Sequence, residues 1–202
     1  MKQIIITRHG QTAANKSFSY NGHTDNPLNA QGLAQAQALA LRLQDVPLAA
    51  IYSSNLQRAV VTAQTIAQGH NLSVTQVADF KEINFGAWEG LPFQEINEKY
   101  HDNFTAFFKS PKDTAPQGGE SFAELQKRAW PALQKIVAEQ RDDTTILVVC
   151  HGGTVRALVC AALGIDLNTV WSIDIDNVSL TSLMYYNNSY NLRYLNNIEK
   201  LV

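Results

Sequence analysis

Two arginines, two histidines and one glutamate stand close behind separate apolar runs of this 202-residue chain. Arg8 and His9 follow Ile4-Ile5-Ile6 directly, and Gly10 follows them. Arg58 comes shortly after Leu48–Tyr52, Glu82 after Leu72–Val77, and His151-Gly152-Gly153 after Thr145–Val149. Guanidinium forks suit phosphate oxygens, and imidazole can act as nucleophile or as acid and base. Glycine lets a backbone approach a ligand closely. Singly, these residues have plain explanations: Arg58 and Glu82 as solvated side chains, Arg8-His9 as a polar rim. Together they place cations, imidazoles and a lone carboxylate behind successive strands, which describes an anion-binding catalytic site without a metal. Phosphoryl transfer fits, because its transition state asks mainly for positioning and charge neutralisation.

The elements that must position these groups can be read from the pattern. Three β-branched residues at 4–6 predict a strand buried on both faces. Asn29 caps a helix from Ala30 to Leu43, with Leu33, Ala36, Ala40 and Leu43 expected on its inner face. A second strand covers Leu48 to Tyr52. Ser54 or Asn55 then caps a helix expected to end at Ala67, closed by Gly69, and a third strand spans Leu72 to Val77. This β-α-β-α-β order calls for a mostly parallel sheet, with ligands bound beyond the carboxyl ends of its strands.

The alternation then stops until Thr145–Val149, a longer gap than a crossover needs. Within the gap lie short helices at Phe93–Tyr100 and Asn103–Phe108, a polar loop at Ser110–Gly119, and a helix opened by the Ser121–Glu124 capping box. Ten of the eighteen aromatic residues fall between Phe80 and Trp130. That concentration predicts a small lid over one end of the sheet, or else a satellite core. After Thr145–Val149 comes a helix to Leu163, closed by Gly164, and then a hairpin of Val178–Tyr185 and Tyr190–Leu195. The expected fold is α/β: a three-layer sandwich, its mixed sheet mostly parallel, with helices on both faces and a small helical lid insertion at about 80–120 within one domain spanning 1–202.

Composition narrows the partners. A net charge of −2 gives no reason to expect nucleic acid or an anionic membrane. No apolar run approaches a membrane span, and no signal peptide is visible at the start. Two cysteines, Cys150 and Cys160, suit a reducing cytoplasm. A small phosphorylated metabolite or inorganic phosphate is the expected partner, and no signal for an oligomeric state stands out. One rival mechanism is written in Cys150 to Arg156, a Cys-x5-Arg string of the kind that supports a thiolate nucleophile in tyrosine phosphatases. Another is a phosphate-binding protein without catalysis.

Six strings carry a resemblance across nearly the whole chain. They are Arg8-His9-Gly10-x-Thr12-x-x-Asn15, Asn21-Gly22-x-x-Asp25-x-Pro27-Leu28, Ser53-Ser54-x-Leu56-x-Arg58-Ala59, Glu82-x-Asn84-Phe85-Gly86-x-Trp88-Glu89-Gly90, Gly118-Gly119-Glu120-Ser121 and His151-Gly152-Gly153. In this order they resemble the histidine phosphatase superfamily, of phosphoglycerate mutase-like fold. The resemblance implies that His9 is a nucleophile forming a phosphohistidine, and that Glu82 is the proton donor and later the base. It implies that Arg8, Arg58 and His151 bind the phosphoryl group, that Asn15 completes the pocket, that Asn21, Gly22 and Gly152 lie around the substrate, and that no metal or cofactor is needed. Asn21 stands where relatives often carry glutamine or serine. Phe85-Gly86-Ala87-Trp88-Glu89-Gly90 is similar to the α-ribazole phosphatase branch and to broad-specificity phosphatases, with α-ribazole phosphate among the substrates implied. A cofactor-dependent phosphoglycerate mutase is the alternative. Between Phe85 and Phe108 stand Trp88, Phe93, Tyr100, Phe104, Phe107 and Phe108, with Lys99 as the one cation. This predicts an apolar pocket suited to ring-bearing leaving groups and poor at holding a carboxylate.

Overall fold

The computed structural model describes residues 1–199. Ile4, Ile5 and Ile6 form the middle of β1 (Lys2–Arg8), an inner strand of a six-stranded sheet. It pairs in parallel with β4 (Thr144–Cys150) and antiparallel with β5 (Leu180–Tyr186). The order is β3-β2-β4-β1-β5-β6, with β2 at Leu48–Ser53, β3 at Val74–Gln76 and β6 at Ser189–Asn197. The first four strands run parallel and the hairpin antiparallel, so the sheet is mixed, as the pattern predicts. Register sets the site: Arg8 pairs with Cys150 and Ser53 with Val149, so β1, β2 and β4 end side by side.

Side-chain alternation divides the core. Ile4, Ile6, Ile146 and Val148 pack with α6 (Phe122–Glu139) and α7 (Gly152–Leu163). Ile5, Ile51, Leu147 and Val149 pack on the other face with α2 (Ala30–Leu43) and α3 (Gln57–His70). Helices therefore cover both faces of a sheet that is apolar on both.

Two helix expectations need correction. The inner face of α2 is Gly32, Ala36, Leu39 and Leu43, while Leu33 is 46% exposed. Gly32 decides the rotation: a Cβ there would stand 2.0 Å from the Gln11 carbonyl oxygen, so the helix turns its bare glycine toward that loop. α3 begins after Leu56, with Ser54 Oγ accepting the Leu56 N–H, and runs past Gly69 to close on Asn71. Asn71 takes the left-handed conformation (φ 53) and donates its N–H to Ala67, a role asparagine fills with less strain than most side chains.

The aromatic interval is largely core. It carries two single turns of 3-10 helix, Ala78–Phe80 and Gly86–Trp88, followed by α4 (Phe93–Lys99) and α5 (His101–Lys109). Phe80, Trp88, Phe104, Phe107 and Phe122 are buried in the same apolar cluster as Ile4 and Ile6. Phe108 stacks on Trp171 at 4.7 Å. Most rings expected over the site thus hold the insertion against the sheet. Of the helices described, none is long and apolar enough to cross a membrane. Two elements remain: α1 (Ala13–Lys16), one turn capped by Thr12 beside the site, and a 3-10 helix at Leu167–Ser172 after α7.

Candidate active site

His9 is the first residue beyond β1, its N–H bonded to the Cys150 carbonyl at 3.0 Å. Its ring Nδ1 lies 2.6 Å from the Gly10 carbonyl oxygen. A carbonyl only accepts, so Nδ1 carries the proton and Nε2 keeps its lone pair. Burial pushes the pKa of His9 well down, and the Arg58 and Arg8 guanidiniums push it further. The main chain around it is held by Gly10 N–H donating to Thr62 Oγ1 at 3.2 Å and by Asn177 Nδ2 donating to the His9 carbonyl at 2.8 Å.

His151 caps α7 and is fully buried. Arg58 Nε–H donates to its Nδ1 at 3.2 Å, so here the proton sits on Nε2, which has no partner among the described residues. Burial, then Arg58 and His9, hold its pKa well below the ordinary value. The two rings meet edge to face with centroids 5.0 Å apart. One therefore offers a lone pair and the other an N–H.

The arginines are held differently. Arg8 donates Nη1 to the Ile175 carbonyl at 2.8 Å and leaves a buried Nε without a partner among the described residues. Arg58 is fully buried and reaches the Thr24 carbonyl at 2.9 Å and the Gly22 carbonyl at 2.6 Å. Its charge acts on the site through His151, whose tautomer it sets. Gly22 likewise faces Arg58 rather than the cavity. Its N–H is taken by Glu89, which also accepts from His23, Thr24 and Phe85 and so ties the 22–24 loop to the insertion.

Glu82 approaches from the insertion and bonds to the start of α7. Its Oε1 accepts from Ile83 and Thr154 N–H at 2.9 and 3.2 Å, and its Oε2 accepts from Gly153 N–H at 3.0 Å. Arg128 secures the backbone here, donating to the carbonyls of Asp79, Lys81 and Glu82 at 2.7, 3.0 and 2.8 Å. Glu120 holds that guanidinium through paired 2.8 Å bonds. Asn15 Oδ1 accepts from the Thr12 N–H at 3.0 Å and from Asn177 Nδ2 at 3.4 Å, so its own NH₂ is left for the cavity.

Arg8, His9, Asn15, Asn21, Glu82 and Gly152 share a cavity of about 750 Å³, while Gly22, Arg58 and His151 are not in its lining. Several lining residues were not among the expected site residues, Arg156, Asn177, Phe18 and Tyr20 included. Arg156 lies one helical turn after Gly152, a spacing that could have revealed it. Asn177 comes from the segment before β5 and had no local signal. Phe18 and Tyr20 follow α1, and Phe18 reaches the mouth 83% exposed with a left-handed backbone (φ 54). Of the aromatics expected from the insertion, Phe85 and Phe93 alone line this cavity. Arg156 in its wall is a cation that the expectation of a pocket poor at holding a carboxylate did not count.

Cys150 is a core residue of β4, and burial pushes its thiol pKa up, with Glu82 adding to the shift. A low-pKa thiolate has no place there, so the Cys-x5-Arg mechanism is set aside. What remains is a neutral imidazole with its Nε2 lone pair free, in one cavity with Arg8, Asn15 and the Glu82 carboxylate. Such an arrangement can accept a phosphoryl group and exchange protons with the departing oxygen.

The family model described as histidine phosphatase superfamily (branch 1) matches residues 4–198. Phosphoserine phosphatase 1 of Hydrogenobacter thermophilus is 37% identical over 179 residues, covering 89% of this chain and 84% of that protein. The adenosylcobalamin/alpha-ribazole phosphatase of Escherichia coli is 28% identical over 194 residues, covering 96% of this chain and 95% of that one. A phosphoserine phosphatase mutant from Entamoeba histolytica, solved in complex with phosphoserine, superposes with a TM-score of 0.87 at 29% identity and covers 100% of both chains.

Proposed function

This chain belongs to branch 1 of the histidine phosphatase superfamily and is a phosphatase of small phosphorylated metabolites, and we propose that it works through a phosphohistidine on His9. His9 Nε2 attacks phosphorus while Glu82 gives its proton to the departing alcohol oxygen. The ester P–O bond breaks and a P–N bond forms. Glu82, now a carboxylate, takes a proton from water, whose oxygen attacks phosphorus. The P–N bond then breaks, and inorganic phosphate leaves.

Arg8 Nε–H, His151 Nε2–H and the Asn15 NH₂ would hold the phosphoryl oxygens, with Gly152 lining the floor and Asn21 the wall. Arg58 would contribute its charge and the His151 tautomer. The Arg8 and Arg58 charges would do the neutralising that magnesium does in kinases, with neutral N–H donors from His151 and Asn15 beside them. The observation that carries the proposal is the pair of histidines in opposite tautomers, centroids 5.0 Å apart, each fixed by a bond to its own Nδ1. Two buried, unpaired cysteines suit a reducing cytoplasm as the place of work.

His9→Ala tests it. Losing a nucleophile should cost several powers of ten in kcat, with the fold intact. A rapid quench of the wild type with a radiolabelled substrate should trap an acid-labile phosphoprotein that the variant does not form. If the variant retains more than about a hundredth of wild-type kcat, His9 is not the nucleophile. Turnover without any trapped phosphoprotein argues against the intermediate, and the absence of both would favour a binding protein.

A further inference from the structure

Arg156 is a cation that the proposed chemistry does not use. It stands on α7 and lines the cavity. Its Nε–H donates to the Ile173 carbonyl at 2.7 Å, and its guanidinium carbon lies 5.9 Å over the Trp171 ring. Those two contacts hold the plane of the guanidinium, while its Nη donors meet no acceptor among the described residues. No carboxylate of those residues comes within 4.0 Å of it. A held, half-buried guanidinium with both Nη groups open is set up for a planar anion.

Its place in the cavity says which anion. A Cβ on Gly152 would stand 3.2 Å from Arg156 Nη1 and 3.7 Å from Arg8 Nε, so the open fork lies next to the phosphoryl subsite without sharing its donors. Glu82 bonds to Gly153 and Thr154 in the first turn of α7, which Arg156 follows directly along the helix. The group that protonates the departing oxygen therefore sits on the Arg156 side of the site. An anion reaching Arg156 would be carried by the leaving alcohol, a few bonds from its ester oxygen. We propose that Arg156 is a specificity-determining residue, binding a carboxylate on the leaving alcohol and so favouring esters of small hydroxy acids. The assignment rests on the phosphatase chemistry proposed above.

The test compares 3-phosphoglycerate with glycerol 3-phosphate, which keeps the three-carbon skeleton but has a hydroxymethyl group in place of the carboxylate. Wild-type kcat/KM should favour the acid by about tenfold or more. In Arg156→Gln the ratio of the two constants should fall by about 10- to 100-fold, the range of a charge-assisted pair, with the loss in KM for the acid. Arg156→Lys should restore part of the ratio, since a point charge replaces a fork. No wild-type preference for the acid would overturn the assignment whatever the variants do. So would an equal loss on both esters, which would make Arg156 a phosphoryl ligand or a structural residue. Failure of the phosphatase chemistry is distinguishable, because wild-type enzyme would then trap no phosphoprotein with either ester.

Discussion

Gly153→Ala should impair the proton donor while leaving the fold in place. A Cβ at Gly153 would stand 2.5 Å from Glu82 Oε1, 3.3 Å from its Cδ and 3.5 Å from Ile83 Cγ2. The carboxylate has little room to yield, because three backbone N–H groups hold it and Arg128 grips the carbonyls beside it. Restoring ordinary contact requires a shift of about 1 Å. A displacement of that size costs about 100-fold in rate, or about 2.7 kcal/mol of barrier. Alanine is the better helix former by up to about 1 kcal/mol, which offsets part of the strain, so Tm should move by only a few degrees. The assay is kcat on an alkyl phosphate and on p-nitrophenyl phosphate. The alkyl ester should lose about 100-fold and the nitrophenyl ester far less, since nitrophenolate leaves with little help from an acid. Equal losses on both esters, or an alkyl kcat within about threefold of wild type, would refute the placement of Glu82 as proton donor.

The phosphate-free protein should lose stability as pH falls below about 6.5, because the unfolded chain then protonates His9 and His151 while the fold keeps both rings neutral. Each ring can contribute up to about 1.4 kcal/mol per pH unit until its depressed folded pKa is reached. An NMR titration showing either ring charged at about pH 6 would contradict this. EDTA should leave turnover unchanged while vanadate inhibits, because guanidinium and imidazole N–H groups supply the positive potential. Activity lost on chelation and restored by a divalent cation would contradict that.

Local chemistry was legible wherever it was written in neighbouring residues. The isoleucines of β1, the Asn29 cap, the Ser121–Glu124 box and Gly164 closing α7 are each fixed by a few consecutive side chains. The Asn187-Asn188 turn is of the same kind, with φ of 50 and 59, and joins the hairpin. The polar groups behind β1, β2 and β4 were legible too, since parallel strands with aligned ends must deliver them to one edge.

Packing decided the rest. Which face α2 buries depended on Gly32 meeting Gln11, a contact between segments that the helical period cannot see. Whether the rings after Phe80 would cover the site or fill the core depended on how the insertion folds back. Apolar rings gain most where they leave water altogether, so Phe104 and Phe107 went inward. Arg58 was expected to grip phosphate, but its donors are turned to His151 and to the 22–24 loop. Asn177 enters the site from 168 residues beyond His9, and Arg156 became a site residue because α7 starts at the cavity, beside Gly152. Residue types and short spacings by themselves determined the elements, the sheet edge and the phosphoryl chemistry. Tautomers, donor directions and the cation beside Gly152 were decided only by the tertiary structure, because each depends on how distant parts of the chain pack together.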